Sequence, residues 1–349
     1  MRSDEGLVGA ASIGAKIVHF PRLESALPTQ SLIVRLPNHL GDACMSLPAL
    51  DLLAESGIAL TLAGRPWSRE LFGAYPHTVV ALCGTRGARL GALRALRRPR
   101  AAAVDALLLT NSFSSALEFR LAGLRPCGYA TDGRSLLLGR ALALPKEEWR
   151  SGMHMVEYYL HLARSVLASD PTPEPTTPRD PHLRLEEAAY ERARAALGRA
   201  GAAPPYVVLC PVAQGRHHGQ DKCWSGFGRL AQELVNAGRH VVACPGPGER
   251  VAAAEAAPAA KFVEALDLAA FGALLAQSAL VVANDSGPGH LAAAVGANLI
   301  SVFGVTSPAR TRPRSARALL LGAEGSWPSY AQVANAVEMT LSGNLAQSG

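Results

Sequence analysis

Three charged residues stand where an open α/β sheet would put its ligands. Asp42 follows Pro37-Asn38-His39-Leu40-Gly41, just behind the apolar run Ser31–Leu36. Lys222 lies in the polar loop Gly215–Trp224 (GRHHGQDKCW), and Asp285 opens Asp285-Ser286-Gly287-Pro288-Gly289-His290. A carboxylate in a cleft can act as general base toward a hydroxyl nucleophile. Asp42 has two readings, that base or a cap on the helix that follows. A lysine near a helix start opposes the dipole unless an anion shares the place, so Lys222 points to phosphate, or else to an exposed basic loop. Ser286 and Gly287 offer a hydroxyl and backbone N–H groups at the positive end of a helix, which suits a diphosphate. Asp285 can accept from a sugar or order its own loop. His290 reads as a packing or bracing histidine. Thr306, in the small polar turn Phe303–Pro308, adds one more anion-facing loop. Glu249 follows Cys244-Pro245-Gly246-Pro247-Gly248, where a nucleotide-binding half places a carboxylate on ribose hydroxyls, or where a turn carries a solvated acid. The spacing there does not make GxGxxG, which removes the main support for a nicotinamide dehydrogenase.

Such loops meet only if strands end beneath them. Apolar runs at Ser31–Leu36, 58–63, 78–82 and 104–110 alternate with helical or irregular stretches, and one helix is expected from about Gly41 to Ser56. The segment 170–181 (DPTPEPTTPRDP) holds five prolines in twelve residues, which neither pack nor continue a helix. Beyond it the rhythm restarts, with helices near 186–199, 225–237, 267–277 and 288–295, and strands at 206–211, 240–244, 280–283 and 298–303. The expected organisation is an extension over 1–30, a first Rossmann-like domain over 31–169 and a Pro-rich linker over 170–182. A second Rossmann-like domain follows over 183–328, then a C-terminal helix and tail over 329–349. The fold class is α/β, two doubly wound domains facing across a cleft.

Composition narrows the function. The 349 residues are 49% hydrophobic and 18% charged, with a net charge of +6 that favours anionic partners. No uninterrupted apolar run is long enough for a spanning helix, and the acidic opening does not look like a secretory signal, so a cytoplasmic place is expected. Six scattered cysteines without a CxxC pair read as reduced thiols, and His217 and His218 lack partners at metal spacing, so no metal site is expected. Low aromatic content without a basic–aromatic motif argues against nucleic acid.

The four loops, in this order, resemble glycosyltransferase family 9, the ADP-heptose:lipopolysaccharide heptosyltransferases. The resemblance runs from about Leu32 to Arg312. It rests on LIVRLPNHLGDACMSLPAL, DKCWSGFGRLAQEL, CPGPGE and VVANDSGPGHLAAAVGANLISVFGVTSPARTRP. Met45-Ser46 and the segment Asn111–Tyr129 are more similar to the type II branch than to type I. The resemblance implies a GT-B fold, an ADP-heptose donor, no required cofactor and the inner core on lipid A as acceptor. By the same likeness, Asp42 would deprotonate the acceptor hydroxyl, Lys222 would contact the donor diphosphate and Glu249 would hold the adenosine ribose. Asp285, Ser286, Gly287, His290 and Thr306 would line the donor loops. Asn38, Asn111, Ser112 and Ser114 are candidate acceptor contacts. Six arginines between Arg86 and Arg100 form a candidate surface for acceptor anions or the inner membrane, with a plain solvated face as the other reading. The loop around Lys222 departs from the family pattern, because Cys223 and Ser225 flank Trp224. Two rival readings keep the fold: another nucleotide sugar or a later core acceptor, and a non-catalytic nucleotide-sugar binder of lipopolysaccharide assembly.

Overall fold

The computed structural model describes residues 31–97, 104–167, 179–213, 215–217 and 219–343. The expected 1–30 extension, most of the Pro-rich linker, Arg98, Arg100, His218 and the end of the C-terminal tail lie outside the described residues.

The first sheet has six parallel strands: β1 (Ser31–Arg35), β2 (Ala59–Gly64), β3 (Thr78–Ala81), β4 (Ala106–Leu108), β5 (Pro126–Tyr129) and β6 (Arg140–Leu142). Their order is β3-β2-β1-β4-β5-β6. The second domain contributes β7 (Tyr206–Cys210), a hairpin of β8 (Arg216–His217) and β9 (Gln220–Asp221), β10 (His240–Ala243), β11 (Lys261–Phe262), β12 (Leu280–Asn284), β13 (Leu299–Val302) and β14 (Ala318–Leu321). The hairpin aside, these again form a six-stranded parallel sheet, ordered β11-β10-β7-β12-β13-β14. Both sheets reverse direction beside their first strand, β1 and β7, and ligands of doubly wound sheets collect at the loops beyond that switch point. The central strands are covered on both faces, so β7 and β12 are buried at every residue, whereas no residue of the edge strand β3 is fully buried.

The single helix expected from Gly41 to Ser56 is two helices, Leu40–Met45 and Leu47–Glu55. Pro48 has no N–H for the carbonyl four residues back, and its ring would crowd that carbonyl. The chain therefore restarts at Ser46, whose Oγ donates to the Ala43 carbonyl at 2.8 Å, and Pro48 falls in the first turn of the new helix. One consequence reaches the site: Asp42 sits in the first turn of a helix only six residues long.

The helix Met155–Leu167 packs on Leu47–Glu55 and closes the first layer structure. The C-terminal helix Tyr330–Leu341 begins with a capping box between Ser329 and Gln332 and buries Val333, Ala336 and Val337 against the second sheet. One core is continuous through both halves, from Leu32 and Val34 through Ala283 and Leu291 to Leu299. Two further ties cross between them, the Leu268 amide donating to Glu70 Oε2 at 3.0 Å and the Tyr75 hydroxyl to the His182 carbonyl at 3.1 Å.

Candidate active site

The short helix Leu40–Met45 of the first domain points its start at the helix Gly287–Ala294 of the second. The approach is close because glycine occupies both sides. A Cβ built on Gly41 would lie 2.8 Å from His290 Cδ2, and one on Gly287 would lie 3.1 Å from Leu40 Cβ. The two ends carry Asp42 and Asp285 into one neighbourhood.

Asp42 is not the helix cap. His39 holds that position, without a side-chain bond, and the Asp42 carboxylate turns instead to Tyr159, whose hydroxyl donates to Oδ1 at 3.2 Å. Burial pushes the Asp42 carboxyl above the usual aspartate range. His39, the Tyr159 hydrogen bond and Lys222 pull it back, while the charge of Asp285 pushes it further up. A carboxylate so placed keeps a proton more readily than a solvated one, a property suited to general-base work near neutrality.

Asp285 is the hub of the facing domain. Its Oδ2 accepts from the Thr306 hydroxyl at 2.6 Å and lies 3.8 Å from Lys222 Nζ, while Oδ1 lies 3.9 Å from His290 Nε2. The anion expected beside Lys222 is thus partly supplied by the protein itself. Thr306 braces Asp285 with its hydroxyl. Burial holds His290 neutral, its pKa pushed down to about 4, with Asp285 opposing that shift. In the turn between them Pro288 has no N–H, and the Gly289 and His290 amides close on the Ser286 carbonyl. A diphosphate at this turn would therefore be met by the Ser286 hydroxyl, which here donates to the Asn284 carbonyl at 3.1 Å, and by the Gly287 amide.

Two residues outside the sequence reading hold this arrangement together. Asn284, fully buried at the end of β12, accepts from the Trp224 amide at 2.9 Å and donates to the Pro211 carbonyl at 2.8 Å. It thereby fixes the loop that carries Lys222 two residues before Trp224. The signal was a polar residue at the end of a wholly apolar strand, where a buried amide must find partners. Tyr159 is the other, and its signal was weaker, a tyrosine on the buried face of an amphipathic helix.

The remaining candidates are engaged in bonds of their own. Glu249 precedes the helix Arg250–Ala256 and accepts from the Gly246 amide at 2.9 Å, closing its own turn at the end of β10. Asn38 Oδ1 accepts from Arg35 at 2.7 Å, and Asn111 Oδ1 from the buried Arg134 at 2.8 Å. Ser112 caps the helix Phe113–Leu121, accepting from the Ser115 amide at 3.2 Å, and Ser114 bonds to Ser112. Of the basic stretch, Arg89 is tied to Glu118 at 2.5 Å, while Arg86, Arg94 and Arg97 are exposed. Among the described residues, no group of three or more His, Cys, Asp or Glu side chains is placed to hold a metal ion. No helix among them is long and apolar enough to cross a membrane.

The model of glycosyltransferase family 9 (heptosyltransferase) matches residues 92–339, and the chain belongs to this family. Its fold is GT-B. The solved structure of Escherichia coli ADP-heptose lps heptosyltransferase II superposes with a TM-score of 0.73 at 24% identity, covering 90% of this chain and 100% of that one. Lipopolysaccharide heptosyltransferase 3 of Escherichia coli is 32% identical over 138 residues, and the match spans 37% of this chain and 39% of that relative. Lipopolysaccharide heptosyltransferase 2 of Salmonella typhimurium is 27% identical over 317 residues, 83% of this chain and 87% of the relative.

Proposed function

We propose that this chain moves L-glycero-D-manno-heptose from ADP-heptose to the inner core of lipopolysaccharide, with inversion at the anomeric carbon, as a type II heptosyltransferase. Family membership supports the reaction class. The observation that carries the mechanism is the half-buried carboxylate of Asp42 set against the Asp285–Lys222 pair of the facing domain.

In this reading the acceptor hydroxyl gives its proton to Asp42 as its oxygen attacks the anomeric carbon. The bond from that carbon to the diphosphate breaks, and ADP leaves with the electron pair. Lys222, the Ser286 hydroxyl and the Gly287 amide stabilise the charge that develops there. Asp285, braced by Thr306, sets the position of Lys222. Glu249 takes the adenosine ribose by opening its bond to Gly246. Lys222 provides the positive charge that a divalent cation would otherwise bring, so the reaction proceeds without a metal. Asn38 and Asn111 meet the acceptor, and the exposed Arg86, Arg94 and Arg97 meet its anionic groups at the inner membrane.

The test offers the purified protein ADP-heptose with two acceptors, Kdo-lipid A bearing no heptose and the same bearing one, and follows ADP release and product mass. Transfer to the one-heptose acceptor alone supports the proposal. Transfer to neither, with ADP still bound, overturns the acceptor assignment. The match to a type 3 enzyme favours a second reading, a later core acceptor, which the same assay detects when a two-heptose acceptor is added.

A further inference from the structure

We infer that Tyr159 is a positioning residue for the general base, its hydroxyl fixing one oxygen of Asp42 so that the other faces the acceptor. The inference rests on the reading of Asp42 as that base. Tyr159 comes from the helix Met155–Leu167, far along the chain from the helix Leu40–Met45 that it touches. Its hydroxyl donates to Asp42 Oδ1 at 3.2 Å, and among the described residues no other hydrogen bond reaches that carboxylate. The ring is held edge-on by Tyr158, with centroids 5.3 Å apart, and only 3% of the residue is exposed. Burial and the neighbouring Asp42 charge push the phenol well above its ordinary value, so it stays a donor wherever the enzyme works.

The carrier helix is itself set by the other domain. The Val156 amide donates to His154 Nδ1 at 3.1 Å, which places the ring proton on Nε2, and Nε2 donates to the Arg312 carbonyl at 2.9 Å. Arg314 pairs with Glu157 at 2.7 Å, and the Arg310 guanidinium donates to the Trp149 carbonyl at 2.7 Å while lying over the Trp149 ring. Thus the segment after β13, which also bears Thr306, holds the helix whose tyrosine holds Asp42. The base is oriented by the same interdomain contacts that place the donor loop, and the two are registered to each other.

Burial raises the Asp42 carboxyl, and several titratable groups among the described residues face it. They are His39 and Cys44 on its own helix and flank, Tyr158 and Tyr159 on the helix Met155–Leu167, and Lys222 after β9. Asp285 after β12 and His290, packed on Gly41, complete the set. Among the described residues, only Tyr159 donates to the carboxylate. Removing that hydroxyl withdraws support from the ionised form, and a strengthened donor adds to it.

The experiment measures the pH dependence of transfer from ADP-heptose for the wild type, Tyr159→Phe, Asp42→Asn and a protein with 3-fluorotyrosine at 159. Fluorination makes the phenol a stronger donor with almost the same shape. The expected result for Tyr159→Phe is a fall in kcat of about tenfold, an unchanged KM for ADP-heptose and an acid limb moved upward by about one pH unit. The fluorinated protein moves the limb the other way. An unmoved acid limb in both proteins overturns the inference, whether or not kcat falls, since loss of packing alone lowers the rate without retuning the base. Transfer retained by Asp42→Asn overturns the underlying base assignment instead, so the two failures are distinct.

Discussion

Replacing Gly41 by alanine separates the proposed base from the donor loop by a predictable amount. The new methyl would sit 2.8 Å from His290 Cδ2, against an ordinary contact of 3.4–4 Å. His290 is a buried ring, 6% exposed, and cannot swing away. The helices Leu40–Met45 and Gly287–Ala294 must part by roughly 0.6–1.2 Å, since contact energy rises steeply inside the van der Waals distance. Overpacking of this kind costs about 1–3 kcal/mol, and each kcal/mol lowers Tm by about 2–4 °C in a chain of this size or somewhat smaller. A misplacement of about 1 Å at reacting groups costs about 100-fold in rate. The expected outcome for Gly41→Ala is therefore a kcat lower by one to two orders of magnitude, roughly, with little change in KM for ADP-heptose, because the proposed donor contacts all belong to the second domain. Steady-state ADP release and a thermal melt measure both. Gly91→Ala is the matched comparison. Gly91 lies inside the helix Arg86–Ala95, and beyond its chain neighbours and its own helix backbone nothing lies within 4 Å of a built Cβ, so alanine there adds about 0.5–1 kcal/mol of stability and leaves kcat alone. Wild-type kcat in Gly41→Ala would refute the claim that this close approach sets the geometry of transfer.

Other perturbations separate the roles of the site residues. Lys222→Gln removes the charge facing Asp285 and the leaving group, and single-turnover rates should fall by about 100- to 1,000-fold. Excess EDTA should leave turnover unchanged, and a loss restored by Mg²⁺ would count against Lys222 as the sole cationic stabiliser. Asp42, as the proposed base, works ionised, and burial raises its pKa, so activity should fall with decreasing pH at values above the ordinary aspartate range near 4, read from the acid limb of kcat/KM. Stability carries a different signature. His290 titrates near 4 in the fold and near 6.5 unfolded, so the unfolded chain takes up the proton first, and stability contributed at neutral pH is lost as pH falls through that window. Urea melts of His290→Gln against the wild type should show a smaller loss between pH 6.5 and 4. Finally, replacing the exposed Arg86, Arg94 and Arg97 together by Gln should raise KM for a lipid A acceptor and weaken binding to anionic liposomes, with KM for ADP-heptose constant.

The sequence carried the fold best where burial is complete. Strands such as β7 and β12 are buried at every position, and apolar up to Asn284 at the end of β12, because helices cover both faces, so their ends, and the loops bearing Asp42, Asp285 and Thr306, could be read directly. Strands β5 (PCGY), β6 (RAL) and β14 (ALLL) went unread, being three or four residues long and, in β5, containing Pro and Gly. The helix break at Ser46 was present in the sequence as Pro48, but the apolar periodicity runs straight through it. Local sequence could place Asp42 and Lys222 near helix starts, yet it could not say that a tyrosine more than a hundred residues away would bond to Asp42. Nor could it say that Asp285 would stand 3.8 Å from Lys222 and supply part of the anion that the lysine faces. Those are tertiary facts, set by the glycines that let two helix ends meet.

Asp42→Asn tests the proposed chemistry most directly, as an isosteric change that removes the proposed base and the burial cost of its charge. Product from ADP-heptose and the one-heptose lipid A acceptor should become undetectable by mass, while calorimetry shows ADP bound as in the wild type and the melting temperature does not fall. Product formed at a rate near that of the wild type would contradict that chemistry.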